Sequence, residues 1–400
     1  MGVVMLTSVS VLPRGTVILL GEMATEHRIT EADVLTALAR VEDPEIGKPI
    51  TELDMVESVR ITGADVAVGI YLTIAGCPMR DTIEGNARAV LEELDGVGEV
   101  SVDLHTMSDE QRRALALKLR GEQTGPVIPF ADPDTRTRIY AVASGKGGVG
   151  KSSMTVNLAT ALAAQGLTVG IVDADIYGHS VPGLMGSDDK GPTVVDEMIM
   201  PPIAHGVRHI SVGQFVEGNA PIVWRGPMLT RAIQQFLADV YWGDLDVLFM
   251  DLPPGTGDVA ITVAQLVPNA ELLIVTTPQA AAAEVAERAG TIAQQTDQKI
   301  AGVIENMSGM TMPDGTVMNI FGEGGGEQVA ERLTQLTDSD VALLGSIPLD
   351  PTLREHGDTG TPVVISEPDS PAAKAIRAVA DQLKVRRESL AGKSLNPRVK

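Results

Sequence analysis

Ile139-Tyr140-Ala141-Val142-Ala143-Ser144-Gly145-Lys146-Gly147-Gly148-Val149-Gly150-Lys151-Ser152-Ser153 is the stretch on which the reading of the fold turns. Ile139 to Ala143 is a short continuous apolar run, as expected of a strand buried on both faces. Leu158, Ala161 and Leu162 then recur at helical spacing, which predicts a helix running to about Gln165. Between the two, Gly145, Gly150, Lys151 and Ser152 satisfy G-x-x-x-x-G-K-[ST] in the strand-to-helix setting that the pattern requires. The glycines clear side chains from the loop, so that backbone N–H groups between Gly145 and Ser153 can converge on an anion, and the helix starting near Lys151 adds its positive dipole end. Lys151 would neutralise the β- and γ-phosphates of a nucleotide, and the Ser152 hydroxyl would ligate Mg²⁺.

Lys146 follows Gly145 directly, where the pattern permits any residue. A long cation there is hard to fold back onto its own nucleotide, because the loop wraps the phosphates with backbone, but it could reach a nucleotide held by a facing protomer. This resembles the deviant Walker A loop of the MinD/Mrp class of dimerising ATPases, in which such a lysine acts across the interface. The resemblance implies a homodimer and a catalytic role for Lys146 beside Lys151.

Outward from the loop, apolar strand candidates recur at Val169 to Val172, Val207 to Val212, Val247 to Met250, Leu272 to Val275, Ile300 to Ile304 and Leu343 to Ile347, with helical patterns between most of them. Strands alternating with helices predict an α/β fold, a mostly parallel sheet with helices on both faces. Ligands bind at the carboxyl edge of such a sheet. Asp173 and Asp175 stand at that end of the second strand. By resemblance to the ATPase class, Asp175 orients the attacking water, while Asp173 could instead cap the turn. Asp251 closes a Walker B-like strand and would hold the Mg²⁺ shell. In the following Leu252-Pro253-Pro254-Gly255-Thr256-Gly257-Asp258, Gly255 can offer its N–H to the γ-phosphate as part of a switch. The resemblance points to Asn306, in Glu305-Asn306-Met307-Ser308, as reader of adenine, hence ATP, since an amide both donates and accepts.

Before the loop, a smaller α+β unit is expected at 27–120. Thr30 begins a helix with Val34, Leu35, Leu38 and Val41 on one face, and strands are predicted at Val56 to Ile61, Val66 to Ile74 and Val97 to Leu104. Gly76-Cys77-Pro78 should open a helix toward Leu94. With Asp43-Pro44-Glu45 and Thr73 to Pro78, this layout resembles the small MIP18-like domain associated with iron-sulfur protein assembly. Cys77 has two readings: a thiol activated at a helix N-terminus, or a small buried apolar residue. Residues 121–137, rich in Gly and Pro, read as a linker, 138–385 as the ATPase domain and 386–400 as a basic tail. Residues 1–26 read as a disordered extension, or as residues preceding a true start at Met23.

The chain has 400 residues, 21 % charged and 44 % apolar, as in ordinary globular proteins. Its net charge of −22 and aromatic content of 3 % argue against nucleic acid or anionic lipid as partners. The single cysteine excludes an intrachain disulfide and fits a reducing cytoplasm. No apolar run is long enough for a membrane span.

Taken together, the Walker A variant, Asp173 to Ser180, Pro221 to Met228, Asp251 to Asp258, Glu305 to Ser308 and Phe321-Gly322-Glu323-Gly324-Gly325-Gly326 resemble the Mrp/ApbC branch of P-loop ATPases. Members of that family are iron-sulfur cluster carriers with a C-x-x-C pair before the Phe-Gly-Glu-Gly-Gly motif. This chain departs there, with Met312 and Gly315 at the corresponding positions. A neutral thioether is a poor ligand for such a cluster and glycine offers none, so Cys77, an external thiol or a partner would have to supply thiolate. The resemblance implies an ATP-hydrolysing homodimer, with Mg²⁺ and an iron-sulfur cluster as cofactors, that serves apo iron-sulfur client proteins or assembly factors. The alternatives are an ATP-switched adaptor carrying no cluster, and a MinD/ParA-like spatial organiser.

Overall fold

The apolar run around Ile139 forms an inner strand, Arg138–Ala143, of an eight-stranded sheet. The spatial order is Ile203–Ala204, Val207–Ser211, Val169–Asp173, Val247–Asp251, Arg138–Ala143, Glu271–Thr276, Ile300–Ser308, Leu343–Pro348. All neighbours are parallel except the first pair, which is antiparallel. The computed structural model describes residues 28–384 except 75, 78, 121–126, 176–177, 179, 189–190, 216–225, 256–257, 280–281 and 313. The segments read as an extension (1–26), as a basic tail (386–400) and as the start of a linker (121–126) lie outside the described residues, as do Pro221 to Arg225.

Period-two alternation distributes the central strand between two cores. Ile139, Ala141 and Ala143 join one apolar layer with Ile233, Val263, Ala286 and Leu333, whereas Tyr140 and Val142 join another with Met154, Leu158, Ile376 and Val379. Each layer belongs to helices lying on one face of the sheet. Lys151–Ala163 is buried nearly throughout its length, and Pro371–Leu383, capped by the Ser370 hydroxyl on the Ala373 N–H, packs beside it. All seven expected strands are present. Ile300–Ser308 runs past Ile304 because Glu305 and Asn306, both polar and both buried, have hydrogen-bond partners that let them stay in the ladder.

The described residues divide into two compact units: 28–43 with Lys48–Thr106, and Pro44–Gly47 with those of 107–384. In the smaller unit, Thr30 and Asp33 form a capping box for Glu31–Leu38. Strand Val56–Thr62 pairs antiparallel with Asp65–Leu72, which pairs parallel with Val100–Thr106. Helix Arg80–Glu92 buries Ile83, Ala87 and Leu91, spaced four apart on one face. Within the stretch expected as this unit, Asp109–Arg120 is a helix that groups with the larger unit. Its start carries a signal overlooked in the sequence: Ser108 and Gln111 cap each other reciprocally, at 2.8 and 3.3 Å. Two short hairpins, Thr193–Val195 with Met198–Met200 and Met310–Thr311 with Val317–Met318, were likewise not legible from apolar runs.

Candidate functional site

The phosphate loop leaves the central strand at Ser144 and ends at Gly150, the N-cap of Lys151–Ala163. Gly150 has φ +80°, and a Cβ there would stand 2.3 Å from the Asn306 amide nitrogen, so both conformation and space demand glycine. That amide nitrogen donates to the Val149 carbonyl at 2.9 Å. Asn306, only 2 % exposed, therefore lies beneath the loop and ties its backbone to the strand Ile300–Ser308.

Parallel register brings the carboxylates together. Asp251 aligns with Val142 on one side and with Asp173 on the other, and Asp173 aligns with Ser211. The Lys151 ammonium lies 2.8 Å from Asp251 Oδ1 and 3.9 Å from Asp175 Oδ2, all three side chains being buried. Asp251 also accepts from the hydroxyls of Ser152 and, at 2.9 Å, Thr155. Thr155 is a member of this cluster that the motif does not name; its position one helical turn after Lys151 was the available signal.

Asp173 accepts from Ser211 Oγ at 3.0 Å and from the backbone N–H groups of Asp175 at 3.1 Å and Val181 at 3.4 Å. Burial, and next the charge of Asp251, push its carboxyl up to about 8. Asp175 accepts from the Gly178 N–H at 3.1 Å and is the carboxylate of this strand end that faces Lys151.

The remaining expected residues occupy the loop's rim. Gly255 has φ +90° and donates its N–H to the Ser144 carbonyl at 2.9 Å, which joins the segment after Asp251 to the start of the phosphate loop. Thr256 and Gly257 lie outside the described residues. The Lys146 ammonium donates to Gln279 Oε1, and Ser144 Oγ donates to the Lys146 carbonyl at 3.0 Å. A Cβ on Gly147 would meet the Pro254 side chain in ordinary contact at 3.9 Å, and one on Gly148 would meet nothing within 4 Å.

One expectation is corrected by the geometry. Cys77 does not open the helix: Arg80–Glu92 has Met79 as its N-cap, and the thiol, 7 % exposed, sits in the smaller unit's core. The dipole argument for an activated thiol therefore fails, and the buried reading holds. Met312 and Gly315 lie at the tip of the hairpin Met310–Thr311/Val317–Met318, where Met312 N–H bonds the Thr316 carbonyl at 2.8 Å and Gly315 N–H the Met312 carbonyl at 2.9 Å. Among the described residues no group of three or more His, Cys, Asp or Glu side chains is placed to hold a metal ion.

A strand–loop–helix with a buried lysine, a helix-start hydroxyl and a strand-end aspartate defines a nucleotide-binding P-loop NTPase. Comparison with known proteins gives the same class. Residues 135–384 match the family model described as NUBPL iron-transfer P-loop NTPase, and residues 31–102 match the one described as iron-sulfur cluster assembly protein. The chain belongs to the ParA family of NUBPL iron-transfer P-loop NTPases and carries the small assembly domain in front. It is 62 % identical over 366 residues to an iron-sulfur cluster carrier protein of Mycobacterium tuberculosis, covering 91 % of this chain and 96 % of that protein. A carrier protein of Synechocystis is 40 % identical over 361 residues, 89 % of this chain and 97 % of the relative. Among solved structures, a nucleotide-binding protein of Archaeoglobus fulgidus in complex with ADP is 37 % identical, with a TM-score of 0.50 over 58 % of this chain and 89 % of that one.

Proposed function

We propose that the chain is a Mg²⁺-dependent ATPase that works as a homodimer in the transfer of iron-sulfur clusters to client proteins. The observation that carries the ATPase reading is the Lys151 ammonium 2.8 Å from Asp251, with Asp175 and Ser152 around it. Lys151 cancels phosphate charge, and Asp175 orients the attacking water. The site fits Mg²⁺: hydroxyl and carboxylate oxygens of Ser152 and Asp251 are hard donors, and the buried cluster holds more carboxylates than cations. When bound, the ion supplies charge stabilisation to the phosphates. Lys146, at the loop's rim, serves the nucleotide of the partner protomer. Asn306 fixes the loop from below; a role in reading adenine would use the rest of its amide.

The cluster is cargo. Its thiolate ligands are not offered by Met312 or Gly315, and Cys77 is buried, so they come from a client, an assembly factor or a small thiol. Steady-state ATP hydrolysis with Mg²⁺, in the wild type and in Asp175→Asn, tests the first half. Anaerobic transfer of a cluster from a donor protein to an apo client, with and without ATP, tests the second. The hairpin composition favours one other reading, an ATP-switched adaptor, which predicts client binding with no iron found on the chain at any stage.

A further inference from the structure

The turn Thr277-Pro278-Gln279, which follows the strand Glu271–Thr276, touches the site and a second region at once. On one side, Gln279 Oε1 accepts from the Lys146 ammonium. On the other, the turn's backbone is the floor for the glycine segment Gly322 to Gly326. A Cβ on Gly325 would stand 2.7 Å from the Thr277 carbonyl oxygen and 2.8 Å from the Pro278 carbonyl carbon, and one on Gly322 3.4 Å from the Pro278 oxygen. Gly326 N–H is held by Glu305 Oε2 at 2.7 Å. The same segment follows directly on the hairpin Met310–Thr311/Val317–Met318, where Val317, Met318 and Ile320 are 60, 51 and 52 % exposed.

We propose that Thr277–Gln279 is the joint through which the position of Lys146 sets the packing of the glycine segment, and with it the exposed hairpin, with Gln279 and Gly325 as positioning residues. A neutral amide holds the ammonium without a counter-charge, so the lysine can leave for a phosphate at small cost. The contact between Gly325 and the turn is backbone on backbone, with no soft side chain to absorb a shift, so a displaced turn takes the glycine segment with it. The inference rests on the reading that Lys146 serves a second protomer's nucleotide.

Hydrogen exchange of peptides spanning 310–320 in the full chain, with ADP and with a non-hydrolysable ATP analogue plus Mg²⁺, tests it alongside turnover. Light scattering fixes concentrations at which dimer content is equal. In the wild type the hairpin's protection differs between the two nucleotides. Gln279→Ala and Gly325→Ala are expected to abolish that difference and to lower kcat by about two- to thirtyfold, the range for residues acting through a coupled network, while Kd for a fluorescent ATP analogue stays unchanged. Wild-type exchange and turnover in Gln279→Ala overturn the proposal, and that variant carries the test alone if Gly325→Ala fails to fold. Lys146→Ala separates the levels: normal turnover and dimerisation there remove the cross-protomer reading itself, whereas a defect there with normal Gln279→Ala and Gly325→Ala removes only the joint.

Discussion

Lys151 is the residue on which nucleotide affinity is expected to depend. Replaced by alanine, it leaves Asp251 and Asp175 buried without their cation and the phosphates without theirs; Kd for ATP is expected to rise by about two orders of magnitude or more, measured by fluorescence titration. Lys146→Ala is expected to have a different signature, with unchanged Kd, suppressed hydrolysis and loss of the proposed ATP-dependent dimer by light scattering. Asp173 makes a pH prediction. Its folded-state pKa, raised to about 8, lies above the unfolded value, so between roughly pH 4 and 8 the folded protein binds the extra proton. This group therefore lowers stability progressively as pH rises through that window, and the penalty is complete above about 8. Asp173→Asn should flatten that slope in melting temperatures taken from pH 5 to 8. These roles divide by legibility. The positions of Lys151, Ser152 and Asp251 were readable because the loop pattern and a strand-end aspartate mark them in the sequence. Thr155 had only its spacing from Lys151 as a signal, and the support of the loop by Asn306 had none, since it depends on which strand end lies beside the loop.

At the level of elements, the loop and the strand Ile300–Ser308 act as one piece. Asn306→Ala would leave the Val149 carbonyl without its donor, at a cost of about 1–3 kcal/mol seen in thermal unfolding. If the amide also reads the base, the same variant loses preference for ATP over GTP in competition titrations; unchanged preference assigns it to loop support alone. Gly150→Ala must both adopt φ +80° and displace Asn306, so nucleotide binding should be lost even in protein that still folds. The central strands were legible from apolar runs because burial on both faces removes polar residues. The short hairpins escaped because two- or three-residue strands leave no periodicity, and the N-terminal turn of Asp109–Arg120 escaped because its evidence is a cap.

For the whole molecule, binding energy at the sheet edge is added to fold stability by mass action. ATP with Mg²⁺ at a hundredfold excess over Kd should stabilise the larger unit by about 2.7 kcal/mol, a rise in melting temperature that is absent in Lys151→Ala. The α/β class and the small α+β unit were both visible in the sequence as alternating patterns; the membership of Asp109–Arg120 was not, because it is decided by packing that no local pattern records. The hairpin at Met310–Met318 has a consequence for anyone wishing to engineer metal capture into this chain. Two cysteines, M312C and G315C, would supply sulfur, yet Gly315 sits at φ +84° and its N–H closes the turn onto Met312. A side chain is strained there by about 1–2 kcal/mol, so restoring such a site means remaking the bend as well as swapping the letters.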